Sequence, residues 1–248
     1  MRDARAIPCL LLRDGGLYKT TRFGDAGYVG DPINTARIFS DKQVDELVLL
    51  DIDASGEGRG PDLAAIASVA EECFAPLCYG GGIRSVEDMH AVYSVGVEKV
   101  SLNALAVARP ETVTEGAARF GTQSVVVSID VKDGEVVTHG ATRRTGLDPV
   151  EHARDMAARG AGEILLTAVD REGTGAGFDL DLVRSVTGAV NVPVIAHGGA
   201  GSIEDLGAAV REGGASAVAA GSLFVYIGPH RAVLITYPEE RQLEEIVG

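Results

Sequence analysis

GGIRSVED, residues 81–88, returns 117 positions later as GGAGSIED, residues 198–205. The same spacing aligns Asp31-Pro32 with Asp148-Pro149, Ala36-Arg37 with Ala153-Arg154, Glu46 with Glu163 and Asp53 with Asp170. It also aligns Asp62-Leu63 with Asp179-Leu180 and Pro76 with Pro193. So many matches at one offset make the chain two homologous halves. Apolar runs of strand length occupy residues 6–12, 47–50, 76–79, 100–102, 125–129, 164–168, 193–196 and 217–220. Helical stretches lie between them and carry start signals. Asp31 and Asp148 are N-caps followed by Pro at the first helical position. Ser85 and Ser202 each precede a carboxylate by three residues, close to a capping box. Near-continuous apolar strands alternating with helices predict a parallel sheet covered by helices. Eight of them in this length predict a (β/α)8 TIM barrel built from two homologous half-barrels. A doubly wound open sheet is the competitor, and the half-chain repeat argues against it.

Apolar residues make up 46% of the 248, enough for one large core, so residues 1–248 are expected to form a single barrel domain. No run approaches the roughly 18 apolar residues of a membrane span. The N-terminal apolar run is too short for a leader, so a cytoplasmic location is expected. A formal net charge of −14, with no Lys/Arg cluster, would repel a phosphodiester backbone. Small phosphorylated ligands remain possible, because backbone N–H groups can hold them. The three cysteines, Cys9, Cys73 and Cys78, lack metal-ligand spacing and read as reduced thiols.

In this fold the chemistry sits at the C-terminal ends of the strands. Glycines cluster there in both halves: Gly80-Gly81-Gly82 after strand three, and Gly198, Gly199 and Gly201 after strand seven. Gly173, Gly175 and Gly177 follow strand six, and Gly221-Ser222 follow strand eight. Paired Gly-rich sites opening capped helices predict a ligand with a phosphate at each end. The plainer reading is that these glycines only make tight turns. The polar residues at the same rim are Asp14, Lys19, Asp51, Asp53, Asn103, Asp130, Thr167 and Asp170. Asp130 ends the apolar run VVVSID, where partial desolvation would raise its pKa and suit acid/base work. Alternatively it only caps the following turn. Asp133-Gly134 is a hairpin signal, so residues 131–142 are predicted to form a two-stranded flap over the mouth. His197 falls at a glycine-loop position without a nucleophile partner, which fits packing or anion contact better than chemistry. No cofactor is implied, and no histidine shows metal-ligand spacing.

Arg5, Glu46, Lys99 and Glu163 precede strands one, two, four and six, at the opposite end. Two cations and two anions around one axis would plug the barrel floor. Such features usually serve stability, yet buried ion networks stabilise poorly compared with apolar packing. A charged floor therefore also fits a gate facing a docked partner. At the other end of strand one, CLLLRDGG (residues 9–16) places Leu11 and Leu12 where an acid is common.

Nearly the whole chain resembles the HisF family, the cyclase subunits of imidazole glycerol phosphate synthase. The segments GDPINTARIF, DELVLLDIDAS, GGGIRSVEDM, VVVSIDVKDG, GAGEILLTAVDREGT and IAHGGAGS carry the resemblance. It implies that ammonia from a HisH-like glutaminase enters through the floor and attacks a bisphosphorylated ribonucleotide at the mouth. It maps the ammonia gate onto Arg5, Glu46, Lys99 and Glu163, and glutaminase docking onto the face around Glu98. Of the two family catalytic aspartates, Asp130 is present and Leu11 replaces the other. Substrate contacts fall on Asp14, Lys19, Asp51 and Thr167, and phosphate contacts on Gly82, Asn103, Gly173, Gly199, Gly221 and Ser222. Ala104 replaces a hydroxyl-bearing residue of the family pattern. Strand one, Lys19-Thr20 and the tail GPHRAVLITYP (residues 228–238) look like the WbuZ-type relatives, associated with sugar amidation for surface polysaccharides. Three functions are thus expected to compete: ammonia delivery to a separate sugar amidotransferase, genuine cyclisation in histidine biosynthesis, and a non-catalytic activator of a glutaminase. The barrel axis is expected to be a hollow, water-poor passage.

Overall fold

The computed structural model describes residues 4–228 and 230–247. Its eight parallel barrel strands are β1 (Arg5–Arg13), β2 (Leu47–Asp51), β3 (Leu77–Gly80) and β4 (Lys99–Leu102), then β5 (Val125–Lys132), β6 (Glu163–Ala168), β7 (Val194–His197) and β8 (Ala217–Ala220). Each pairs with its successor, and β8 closes on β1 with Arg5 opposite Ala217. This is the expected (β/α)8 barrel. The predicted runs match the strands to within a residue, except that β5 continues to Lys132.

Side-chain alternation divides the core into two layers. Ala6, Leu10 and Leu12 of β1 point outward to the helices, while Ile7, Cys9 and Leu11 point inward to the axis. The predicted caps form. Asp31 accepts from the Asn34 amide at 2.8 Å, and Asp148 from Val150 and Glu151 at 2.9 and 3.0 Å. Ser202 and Asp205 complete a reciprocal capping box. Ser85 makes only half of one, because Asp88 accepts from the Arg84 amide instead.

The repeat is visible in backbone contacts. A β-carbon on Gly81 would lie 2.4 Å from the Asp51 carbonyl oxygen, and one on Gly198 2.6 Å from that of Ala168. Equivalent glycines thus admit equivalent carbonyls at the two βα turns. β1 and β5 also match, but at a spacing of 119. Both end in Asp-Gly turns, Asp14-Gly15 and Asp133-Gly134, with all four residues left-handed. Such turns fold the chain straight back as a hairpin. Leu11 then faces Tyr18 as Asp130 faces Val137.

The first of these hairpins, β1 with Gly16–Lys19, and the strand Gly27–Gly30 that extends it are absent from the sequence reading. The flap also differs from expectation. β5 itself supplies one strand, Glu135–Thr138 the second, and Arg143–Arg144 a third. Beyond β8, Tyr226–Ile227 pairs with Ala232–Val233, and the helix Glu240–Val247 packs against the helix Ile203–Arg211. The Tyr237 hydroxyl donates to the Ala6 carbonyl at 2.8 Å, tying the tail to the start of β1. Among the described residues, no helix is long and apolar enough to cross a membrane.

Candidate active site

The four charges at the strand starts form a closed ring. Glu46 Oε2 accepts from Arg5 Nη1 and from Lys99 Nζ, the latter at 2.8 Å. Glu163 accepts from Arg5 at 2.5 Å through Oε1 and from Lys99 at 2.8 Å through Oε2. Each anion thus bridges both cations. Burial pushes the Glu46 carboxyl above its ordinary range, although Lys99 and Arg5 oppose the shift. Burial opposes the charge on Lys99, yet the two glutamates raise it overall. Glu46 Oε1 is buried without a hydrogen-bond partner.

Above the ring, Ile7, Cys9, Val48, Cys78, Val126, Leu165 and Ile195 pack together on the axis. This corrects the expected hollow passage. Inward strand positions carry apolar side chains that meet across the barrel, and the axis is an apolar plug.

At the C-terminal end of the strands a cavity of about 500 Å³ opens. It has two unlike walls. Leu11, Leu50 and Ile52 line one side, and Ser128, Asp130, Thr167 and His197 the other. Asn103 Nδ2 lies 3.3 Å from Asp130 Oδ2, and Ser128 Oγ lies 3.3 Å from Oδ1. Thr167 is the register partner of Asp130 on β6, and its hydroxyl lies 3.2 Å from His197 Nδ1. Burial raises the Asp130 pKa to about 6, against the pull of the Thr167 and Ser128 hydroxyls. Such a carboxyl exchanges a proton near neutral pH, as general acid/base work requires. Burial, helped by the Lys19 cation, pulls His197 down to about 3 and leaves the ring neutral. Lys19 is buried, donates to the Cys9 carbonyl, and is lowered by desolvation.

The predicted residues divide by location. Asp51 lines the cavity but pairs with Arg59 at 3.2 Å and caps the following turn through the Ala54 amide at 3.0 Å. Gly173, Gly199, Gly221 and Ser222 meet in a small recess beside the cavity, together with His197. In the other half, Gly82 and Asn103 line the main cavity. The Asn103 amide is already engaged by the Ser128 and Val137 carbonyls at 3.1 and 3.3 Å. Asp14 is the exception. It occupies the exposed hairpin turn after β1 and is not among the cavity residues, because the left-handed Asp-Gly turn carries it outward.

Two cavity residues escape the sequence reading. Glu172 is buried, accepts from the Thr20 hydroxyl at 3.0 Å and the Phe23 amide at 3.2 Å, and is raised by burial. Its one sequence signal is a carboxylate directly before Gly173. Ser101 has a buried hydroxyl without a partner and lines the cavity. Period-two spacing with Lys99 and Asn103 would have placed it inward. Among the described residues, no cluster of His, Cys, Asp and Glu has the arrangement to hold a metal ion.

The sequence pattern of the histidine biosynthesis protein family matches residues 5–229. The chain belongs to the HisF family. Among its relatives is the imidazole glycerol phosphate synthase subunit HisF of Hyphomonas neptunium, 51% identical over 90% of both chains. A Pseudomonas aeruginosa protein, provisionally named imidazole glycerol phosphate synthase subunit hisF2, is 51% identical over 97% of this chain and 98% of its own. A Vibrio vulnificus protein, provisionally named subunit hisF3, is 43% identical over 96% and 94%. In this HisF-family chain the acid expected on β1 is Leu11, the first-half counterpart of Asp130 by hairpin register.

Proposed function

We propose that the chain is the HisF-type synthase subunit of a glutamine-dependent imidazole glycerol phosphate synthase. A HisH-like glutaminase docks on the floor around Glu98 and supplies ammonia through the ring of Arg5, Glu46, Lys99 and Glu163. At the mouth, ammonia attacks a bisphosphorylated ribonucleotide. The observation that carries the reading is the closed four-charge ring beneath an apolar axis, with a cavity holding Asp130 above it. An apolar plug disfavours ammonium and admits neutral ammonia, the nucleophilic form. The names of the relatives point the same way. Passage requires plug side chains to part, which is easiest near the small residues Cys9, Ala217 and Ala219.

In this reading Asp130 moves the protons of cyclisation, and its raised pKa suits it to both directions. The second-half recess of Gly173, Gly199, Gly221 and Ser222 holds one phosphate, and the Gly82–Asn103 side of the cavity the other. Lys19 and Thr167 contact the substrate between them, and Asp51 holds Arg59 at the rim.

One observation favours a second reading. Leu11, with Leu50 and Ile52 beside it, leaves no carboxylate at the β1 position where the second acid would stand. A chain without paired acids would conduct ammonia to a separate sugar amidotransferase, as in surface-polysaccharide biosynthesis. Incubation with the bisphosphorylated ribonucleotide and ammonium chloride separates the two. Imidazole glycerol phosphate formation, lost in Asp130→Asn, supports the synthase. No product, with glutamine hydrolysis still stimulated in the glutaminase complex, overturns it, and transfer of the released ammonia to a sugar amidotransferase then separates delivery from mere activation of the glutaminase.

A further inference from the structure

The helix Leu63–Ala70 returns the chain to the barrel floor, and residues 71–76 carry it into β3. In that loop the Phe74 side chain is 85% exposed, more than any other large apolar residue among those described. Every residue from Glu72 to Leu77 nevertheless makes a hydrogen bond. The Ser40 hydroxyl donates to the Glu72 carbonyl at 2.9 Å and accepts from the Phe74 amide at 3.0 Å. The Cys73 thiol donates to the Ala75 carbonyl at 3.3 Å, and the Pro76 carbonyl accepts from the Leu47 amide at 2.9 Å. The Leu77 amide donates to Glu98 Oε2 at 2.7 Å. We infer that Phe74 is the anchor by which the glutaminase seats on the floor, and that Glu98 serves docking by holding the loop that presents it. The inference rests on the floor-docking reading above and adds the contact that carries it.

An exposed apolar side chain is ordinary on a protein surface when it stands on a mobile loop. Here the backbone is fixed on both sides of the phenyl group. A fixed aromatic loses little freedom when it enters a partner's pocket, which is what an interface anchor requires. The loop is also bonded to the neighbours of two ring charges. Leu47, the partner of Pro76, directly follows Glu46, and Glu98 directly precedes Lys99. Phe74 therefore belongs to the floor sector that carries half of the four-charge ring, where ammonia enters in the proposed reaction.

Charge selects the occupant. The exposed charged residues adjoining these bonds are Asp41, Lys42, Glu71 and Glu98, three acids against one base. Glu72 is paired with Arg37 at 2.8 Å, and the half-buried Asp45 accepts from the Ala6 amide at 2.8 Å. The surface that covers Phe74 is thus an apolar pocket rimmed by cations. A second copy of this chain would bring the same three acids against these, with a formal net charge of −14 on each partner. A glutaminase with a basic rim meets no such repulsion.

The test titrates the full chain with a purified HisH-type glutaminase by calorimetry. Phe74→Ala should raise the Kd at least about 30-fold, the effect of removing an interface anchor, while leaving Tm unaltered. Glu98→Gln keeps an oxygen for the Leu77 amide and should bind within about threefold of wild type, whereas Glu98→Ala should bind about tenfold more weakly. Added to Phe74→Ala, Glu98→Ala should weaken binding no further, because the loop then presents nothing. A Phe74→Ala Kd within about threefold of wild type, Glu98→Gln as weak as Glu98→Ala, or additive losses in the double variant would overturn the inference. Those results beside normal wild-type binding remove this inference only. A wild type that binds no glutaminase removes the floor-docking reading and this inference with it. Sedimentation of the chain alone as a dimer that Phe74→Ala dissociates gives Phe74 to a second copy and overturns the glutaminase as its occupant.

Discussion

Replacing Lys99 with methionine tests the floor ring most directly. The substitution removes two 2.8 Å bonds, to Glu46 Oε2 and Glu163 Oε2, and changes the ring from neutral to a net charge of −1. The Glu46 side chain is only 2% exposed and Glu163 11%, so water replaces little of what is lost. Breaking a fully buried pair costs about 3–5 kcal/mol. Arg5 still bridges both carboxylates, but its side chain is 31% exposed and partly screened. A loss of about 3 kcal/mol at pH 8 follows, or a fall of about 10 °C in Tm for a chain of this length. The pH dependence has a definite sign. Without Lys99 the Glu46 carboxyl moves further above its unfolded value, so the folded variant binds more protons than its unfolded chain. Its stability deficit therefore grows as pH rises through the folded pKa and shrinks to about 1 kcal/mol near pH 5. The chain has no tryptophan, so urea denaturation followed by far-UV circular dichroism is the assay. Wild-type stability at pH 8, or an equal deficit at pH 5 and pH 8, would refute the reasoning. The double variant Lys99→Met/Glu46→Leu should recover part of the loss, since apolar replacements of buried pairs are often neutral.

Asp130→Asn should stabilise the chain at high pH. The folded pKa lies at about 6 against a model value of 3.8. That stability is present below pH 4 and lost as pH rises through 6, so the asparagine variant should gain up to about 3 kcal/mol at pH 8 and nothing at pH 4. Parallel urea titrations at the two pH values measure it. Leu11→Asp places a carboxylate without a partner in the apolar wall and should cost about 2–4 kcal/mol at pH 8, less at pH 5. Equal stability of variant and wild type at pH 8 would show that this wall is wet. Gly173→Ala meets both a left-handed backbone (φ +70°) and a β-carbon 2.3 Å from the Thr20 carbonyl oxygen. It should lose about 2 kcal/mol or more, with weakened sulfate binding by calorimetry.

The fold is legible because it is written twice. Each strand is an apolar run bounded by a capped helix, and two copies confirm the spacing of Asp31, Ser85 and their partners. The floor ring is legible too, because a charge at the start of an inward-facing strand has no other place to go. The site is less so. Asp14 reads as a rim carboxylate, yet the Asp-Gly turn that follows β1 swings it into solvent. Asn103 reads as a phosphate contact, although its amide is engaged by the Ser128 carbonyl of β5 and by the Val137 carbonyl that the flap brings near. Glu172 goes unnoticed because its partners, Thr20 and Phe23, lie about 150 residues away in sequence. Local pattern encodes which face a residue takes, but pairing between distant loops is settled by packing.

The repeat that explains the fold also isolates what the mouth has changed. By hairpin register, the first-half counterpart of Asp130 is Leu11. By the 117-residue spacing, the counterparts of Thr167 and His197 are Leu50 and Gly80. Asp130, Thr167 and His197 therefore each have an apolar or side-chain-free equivalent across the axis. The floor has not diverged in this way, since Glu46 and Glu163 still occupy equivalent positions and bridge the same two cations. A two-fold barrel can hold a ligand with similar ends symmetrically, but its two halves no longer offer the same acid/base groups. Asp130, whose pKa burial raises to about 6, has no carboxylate counterpart at Leu11, so in the proposed reaction a ligand anchored in both halves presents its reacting atoms to the β5 side.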